Sequence, residues 1–326
     1  MQLRRQSLNI LADGRFHSGE ELGEALGISR MAVWKHIHAL RERGVGMEVV
    51  KGRGYRFPSS VELLDADAIH AAVQPGTRRQ IAAIETLLQV DSTNNRLRHQ
   101  ALDGAPSGSV CLAEMQSAGR GRRNRSWVSP FASNLYLSLL WRSECGIAGL
   151  GGMSLVCGVA VLRCLEQFGI QSGGLKWPND ILVDGAKLAG ILIDVAGEST
   201  GPCAVVIGVG INVAMPEHAS DRIGQPWTDL CALSGVDRFP RNLLAARTLD
   251  CLLAAIGEFR TAGLQGFLDD WCRYDVMAGR QIDVYLPGET ISGRACGIDE
   301  TGALLVNTAG GQRRFSSGEV SVRPVP

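Results

Sequence analysis

Gln116-Ser117-Ala118-Gly119-Arg120-Gly121-Arg122-Arg123-Asn124-Arg125-Ser126-Trp127 joins two apolar strand patterns, Val110-Cys111-Leu112-Ala113 before it and Asn134-Leu135-Tyr136-Leu137-Ser138-Leu139-Leu140-Trp141 after it. A connection between buried strands is normally short and near neutral. This one carries four arginines, two glycines and no acidic residue. Glycine lets backbone N–H groups approach an anion closely, and arginine presents planar forked donors that match phosphate and carboxylate. A dinucleotide-binding turn does not fit: Asn124 stands where its third glycine belongs, and no strand-to-helix turn follows. A solvated basic loop is one reading of such a stretch. A loop that folds over a small polyanionic ligand is the better one, and the rest of the chain must supply that ligand.

Upstream of the loop, residues 81–90 have a strand pattern that runs into Asp91-Ser92-Thr93-Asn94. A helix begins there with Ser92 or Thr93 as its N-cap and ends at Gly104. The hydroxyls cap the helix, and with the free N–H groups they can also hold a neutral polar head such as a urea. Downstream comes an apolar helix over 153–168, then a strand series opening at Leu175-Lys176-Trp177-Pro178-Asn179-Asp180. Asp184-Gly185 is a two-residue hairpin signal. The strand after it, 187–194, opens with Lys187 and is otherwise a buried-core pattern. A turn at 197–202 leads to another strand over 204–213. Helices over 242–261 and 264–274 follow, and from 281 to 322 short strands with glycine turns suggest a small barrel of about five strands. Successive hairpins with helices grouped elsewhere imply an α+β domain on a mixed, largely antiparallel sheet.

The first 57 residues have a different character. After a helix around 4–13, Ser18-Gly19-Glu20-Glu21 is a capping box that starts a short helix ending near Gly27. Ser29 caps the next, with Val33, Ile37 and Leu40 on one face and Gly44 as its stop. Met47-Glu48-Val49-Val50 and Tyr55-Arg56-Phe57 then flank Lys51-Gly52-Arg53-Gly54 as strand, turn, strand. This is a winged helix-turn-helix pattern, with Ser29, Arg30, Lys35, His38 and Arg53 as candidate DNA contacts. Pro58-Ser59-Ser60 is a candidate linker, and a helix capped by Asp65 is expected to end at Pro75-Gly76. Three domains are expected, over 1–60, 61–278 and 279–326.

Composition agrees with a globular protein of that size, at 326 residues with 45% hydrophobic and 20% charged content. The formal net charge is zero, yet residues 1–60 carry ten Lys/Arg against six Asp/Glu, a bias that points weakly to nucleic acid. Nine scattered cysteines without a C-x-x-C pair read as buried apolar residues in a reducing cytoplasm, not as a disulfide frame or metal site. No leader peptide is expected, since no apolar run follows Met1-Gln2-Leu3-Arg4-Arg5. The uncharged run from Cys145 to Leu162 holds five glycines and reads as a loop entering a buried helix, so no membrane association is expected.

With these residues in place, the chain resembles the BirA family, the bifunctional biotin–protein ligases that also repress the biotin operon. The resemblance spans the winged helix, the catalytic domain and the C-terminal barrel. It rests on Gly119-Arg120-Gly121-Arg122-Arg123-x-Arg125-x-Trp127, Lys176-Trp177-Pro178-Asn179-Asp180, Lys187-Leu188-Ala189-Gly190-Ile191-Leu192 and Gly208-x-Gly210-Ile211-Asn212. The family's loop usually has glycine where Asn124 stands, a difference that bears on loop flexibility. The resemblance implies a class II synthetase-like biotin/lipoate ligase fold with a C-terminal SH3-like barrel. It also implies a two-step reaction: biotin and ATP, with Mg2+, give biotinyl-5′-AMP, which acylates one lysine of the biotin carboxyl carrier protein of acetyl-CoA carboxylase. By family position, Ser92, Thr93, Asn94, Gln116, Gly119, Arg120, Gly121, Arg122, Arg123, Lys187 and Gly190 should line the biotin and adenylate pocket. Lys176 should line it as well, and Asn179, Asn212 and Asp180 would hold the nucleotide side.

Arg120, Arg122 and Lys187 are the expected catalytic charges, because an ionised carboxylate attacking a polyphosphate needs fixed positive charge and no general base. Two readings stay open for Trp127, ligand packing or a core aromatic. Two are open for Asp180 also, the group that takes the acceptor lysine's proton or a turn-capping carboxylate. Adenylate-bound enzyme is expected to form a homodimer that binds palindromic operator DNA, with the sheet edge over 184–193 as candidate interface. The alternatives are a ligase with a non-regulatory winged helix, a biotin sensor without ligase activity, and a lipoate or other acyl ligase.

Overall fold

Local sequence signals dictate the N-terminal unit. The computed structural model describes residues 2–197, 200–318 and 320–324, and only the backbone of Gln2, Asn124, His218, Ser220 and Pro324. Helices α1 (Gln2–Leu11), α2 (Gly19–Leu26) and α3 (Arg30–Glu42) precede a hairpin of β1 (Glu48–Val50) and β2 (Gly54–Arg56). Ser18 Oγ accepts from the Glu21 N–H while the Glu21 carboxylate accepts from the Ser18 N–H, and Gly27 closes α2 in the left-handed region. Ser29 Oγ caps α3. Val33, Ile37 and Leu40 pack with Leu8, Leu11 and Leu22 in a small separate core.

Asp65 caps α4 (Ala66–Ala72) as expected. Pro75 does not simply end that helix; it lies in the first turn of a short α5 (Pro75–Arg78), where its missing N–H costs nothing. Then come β3 (Ala83–Leu87), α6 (Thr93–Leu102), β4 (Ser109–Ala113), β5 (Leu135–Ser143) and α7 (Met153–Glu166). The strand series expected from 175 splits into β6 (Gly173–Lys176) and β7 (Asp180–Val183), joined through a cis Trp177–Pro178 bond. Asp184 and Gly185, at φ 49° and 79°, make the two-residue turn into β8 (Ala186–Gly197), and β9 (Cys203–Ile211) follows. The turn expected over 197–202 includes Glu198 and Ser199, which lie outside the described residues.

The seven strands run in the order β3-β4-β5-β9-β8-β7-β6. Only β3 and β4 pair in parallel. After two short helices, α8 (Glu217–Ser220) and α9 (Leu230–Ser234), the long α10 (Arg241–Ala262) packs with α7 against one face of the sheet, and α11 (Leu268–Tyr274) adjoins α7. Eleven of the fourteen residues of α7 are buried, so the apolar run that includes it is core and not a membrane span. The C-terminal unit has the expected five strands, β10 (Gln281–Leu286), β11 (Glu289–Ile298), β12 (Leu304–Thr308), β13 (Gly311–Phe315) and β14 (Ser321–Pro324). They form an antiparallel sheet in the order β13-β12-β11-β10-β14.

The three units meet around the Arg-rich connection. Phe57 stacks on Phe131 with ring centroids 6.0 Å apart, and Met115 lies against Gly44. The N-terminal unit therefore rests on residues just before and just after the loop. The linker is fixed from inside by Arg241, which donates to Glu114 Oε2 (2.9 Å) and to the carbonyls of Glu62 (2.6 Å) and Asn134 (2.8 Å). Glu114 also accepts from the Leu64 N–H. Arg241 and Glu114 are almost wholly buried, so removing one charge strands the other. Glu114→Gln is expected to cost about 3–5 kcal/mol, read as a lower urea midpoint by circular dichroism; an unchanged midpoint contradicts the role given to this pair.

Candidate active site

Period-two alternation decides which residues of the central strands can face a ligand. Leu135, Leu137, Leu139 and Trp141 of β5, and Val205, Ile207, Val209 and Ile211 of β9, belong to the core under α7 and α10. The residues between them face α6. Strand pairing sets these in rows: Tyr136, Gly210 and Gly190 in one, Ser138, Gly208 and Leu192 in the next. The glycines leave room for side chains to lie on the sheet itself. A Cβ at Gly210 would come within 2.7 Å of the Trp127 indole, and one at Gly208 within 2.1 Å of Asn94 Oδ1.

Lys187 reaches this face only because the pairing of β7 and β8 slips. In a regular strand residues 187 and 190 point to opposite faces. Between Ile181 and Leu182 the register shifts by one, so that Leu182 pairs with Lys187 while Asp180 pairs with Gly190. This bulge puts Lys187 on the face of Gly190 and leaves Leu188 and Ala189 fully buried. The ammonium then lies 2.6 Å from Asp180 Oδ1 and 5.2 Å from the Trp127 ring centroid.

A buried polar network closes one end. The Ser138 hydroxyl donates to Asn94 Oδ1 (2.6 Å) and lies 2.8 Å from Thr93 Oγ1. The Thr93 N–H donates to Gln116 Oε1 (2.9 Å), whose amide donates to Ser129 Oγ (3.1 Å). Ser92 is the N-cap of α6 and Thr93 its first residue. Asn94 Nδ2 and Arg120 both donate to Asp194 Oδ2, at 3.1 and 2.8 Å. Arg120 Nε and Trp127 Nε1 are buried without a hydrogen-bond partner among the described residues. Two buried donors left without an acceptor are costly.

Arg122 donates to Asn179 Oδ1 (3.5 Å) and to the Ser317 carbonyl of the C-terminal unit. Burial pulls its pKa below the ordinary guanidinium value, against the opposing pull of Asp180. Burial, then the charges of Lys187 and Arg125, likewise holds Lys176 below the usual lysine value, with Asp180 again opposing. The left-handed residue of the loop is Arg123 (φ 55°), not Asn124, so this backbone has no need of glycine at 124. The Asn124 side chain lies outside the described residues.

Together these groups line one open cleft. Ser92, Thr93, Asn94 and Gln116 line it from α6 and the loop base, and Arg120, Gly121, Arg122, Arg123 and Trp127 from the loop. Lys176, Asn179, Asp180, Lys187 and Gly190 line it from the strands. Two expected residues are not in its lining. Gly119 has no room for a Cβ beside the Trp127 carbonyl and Ser129 Oγ, so it packs the base of the loop. The Asn212 amide is used by the carbonyls of Lys187 (3.2 Å) and Thr228 (3.1 Å), so it holds the strand end that carries Lys187.

Sequence reasoning missed Asp194, the counter-ion of Arg120, and Ser138, the hub of the network. Each is a polar residue set among apolar neighbours of its strand, which was the available signal. It also missed Val320, Ser321 and Val322, contributed to the cleft by the C-terminal unit. On the N-terminal unit, Arg30, Lys35 and His38 are exposed on α3 and Arg53 at the wing tip, while the Ser29 hydroxyl is occupied as a cap.

Residues 87–212 match the biotin/lipoate A/B protein ligase family, residues 278–323 the biotin protein ligase C-terminal domain, and residues 4–56 an HTH domain. The bifunctional ligase/repressor BirA of Salmonella typhimurium is 42% identical over 316 residues, covering 97% of this chain and 96% of its own length. The chain belongs to the BirA family of bifunctional ligase/repressors. The Escherichia coli member is 40% identical over 96% of this chain and 95% of its own. A solved structure, the biotin protein ligase from Aquifex aeolicus in complex with biotin and ATP, superposes with a TM-score of 0.65 at 26% identity. It covers 75% of this chain and 100% of that one. As a BirA-family member the chain is a biotin–protein ligase and a repressor.

Because Lys176 loses its proton more readily folded than unfolded, it adds to stability as pH rises between its folded and unfolded values. Binding of an anion that needs its charge must fall over the same range. The affinity for inorganic pyrophosphate is expected to decline with a midpoint below the usual lysine value of about 10.4. Lys176→Arg should remove that decline, and identical pH profiles for the two proteins in calorimetry would exclude the assignment.

Proposed function

We propose that the cleft forms biotinyl-5′-AMP from biotin and ATP and then transfers biotin to one lysine of the carboxyl carrier protein of acetyl-CoA carboxylase. The observation that carries this is the convergence of Arg120, Arg122, Lys176 and Lys187 on one cleft, two of whose buried donors lack a partner. Biotin enters with its carboxylate already ionised, so the first step needs no general base. Its barrier is the approach of an anion to a polyanion, which fixed positive charge lowers. The network of Ser92, Thr93, Asn94, Gln116 and Ser138 suits a neutral polar head, and Trp127 on its glycine floor covers the ligand and excludes water from the mixed anhydride. Asn179 and Arg122 take the nucleotide side. Among the described residues no three His, Cys, Asp or Glu side chains converge, so Mg2+ would be held chiefly by the ATP phosphates, whose charge it neutralises.

In the second step the acceptor lysine must lose a proton before it attacks. Asp180 is the only carboxylate among the described residues lining the cleft, and its 2.6 Å contact with Lys187 fixes its position. Asp180 orients the acceptor lysine of the carrier and receives its proton. Adenylate-bound protein then pairs as a homodimer and presents two α3 helices to operator DNA in the cytoplasm. The expected interface over 184–193 needs correction. Up to Gly190 the strand β8 is paired with β7, and Asn179 takes both the N–H and the carbonyl of Ile191, so the edge proposed for a second copy is the stretch from 192 to 197.

Biotin-dependent ATP–pyrophosphate exchange tests this reading. Lys187→Ala should lower exchange by about 10²- to 10³-fold. Asp180→Asn should leave exchange within severalfold of wild type while transfer to the carrier is lost. A folded wild-type protein that binds biotin without exchange is a sensor, not a ligase.

A further inference from the structure

The exposed face of α3 is not what phosphate binding alone requires. Met31, Trp34, Lys35 and His38 follow at helical spacing i, i+3, i+4, i+7, opposite the buried Val33, Ile37 and Leu40. Met31 is 63% exposed and Trp34 51%. Of the eight large hydrophobic residues exposed among the described ones, four lie between residues 31 and 50, the other two being Val49 and Val50 of the wing. The Trp34 ring lies 5.3 Å from the His38 ring, which is itself 3.3 Å from Glu42, so the indole is braced along the helix. Arg30 precedes this face and Lys51 and Arg53 tip the wing, so a basic frame surrounds an apolar centre.

We infer that Met31 and Trp34 read thymine C5-methyl groups in the major groove of the operator. The inference rests on the repressor reading and adds what its surface recognises. The occupant follows from charge and chemistry. Cations at the rim match a polyanion, and the apolar feature that base edges present in the major groove is the thymine methyl. Arginine and lysine around it would fix register on the phosphates without reading sequence. Arg30 has only an exposed 3.8 Å contact with Glu20, and Arg53 lies over the Phe16 ring; a protein partner would have to match these two and Lys35 and Lys51 as well, whereas duplex DNA does so with its backbone.

The test uses the full chain with biotin and ATP, and duplexes first selected from random DNA. Each thymine of the selected half-site is then replaced by uracil, which removes only the methyl group. Wild-type affinity is expected to fall about three- to fivefold at one or more positions, the loss of one buried methyl. Trp34→Ala or Met31→Ala should bind less tightly and no longer distinguish thymine from uracil there. Arg30→Ala should keep that distinction while weakening binding to all duplexes and reducing its salt dependence. ATP–pyrophosphate exchange should be unchanged in all three, since none of these residues touches the cleft. Sequence-specific binding that ignores uracil, or a uracil effect that survives in both apolar variants, overturns the inference and leaves the repressor reading intact. No sequence-specific binding by the wild type overturns both.

Discussion

The contact between Lys187 and Asp180 is the constraint on which the site depends. It joins a residue next to the hairpin turn to one that follows the Trp177–Pro178 bond, and it holds an ammonium over the sheet beside Trp127. Around it the chain commits further groups. Asn212, Thr228 and Pro226 occupy the backbone of Lys187, through its carbonyl and its N–H. The glycines at 190 and 210 give up side chains so that Trp127 can lie against the sheet. Together they hold a cation over the floor of the cleft, with little reorganisation left to perform.

The loop that covers the cleft is held by all three units. Met115 and Phe131 flank it and carry the N-terminal unit, and Arg122 within it reaches Ser317 in the C-terminal one. Trp177 donates to the Gly302 carbonyl at 3.0 Å, and Ser154 to that of Pro178 at the same distance. The segment carrying Lys176 and Asn179 is thus clamped from the C-terminal strands and from α7. Packed side chains thus join the segments flanking the loop to the N-terminal unit.

Much of this was legible in the sequence because local chemistry sets it. The capping box at Ser18, the caps at Ser29, Ser92 and Asp65, and the Asp184-Gly185 turn all appear where their residue types place them. The arginines and Lys187 that line the cleft were legible from motif and charge. What the sequence hid depends on pairing. Nothing in Lys187-Leu188-Ala189-Gly190 announces the slip in register that aims Lys187, and Asn212 sits in a motif yet spends its amide on backbone carbonyls. Asp194 and Ser138 matter because strand rows place them beside Arg120 and Asn94, across 74 and 44 positions of chain. Where the pairing of β8 with β7 ends, at Gly190 with Asn179 bonded to Ile191 beyond it, likewise depends on register and not on any local signal.

The bulge between β7 and β8 bears on how this protein can vary. At the wing tip, a residue gained or lost changes the reach of a surface turn. Between Lys187 and Ala189 it would reverse the parity of the strand end, because pairing with β9 holds the residues from Ala189 onward, and Lys187 would be sent into the core. That short bulge is therefore a fixed ruler, whereas the turn before it is free to change in length.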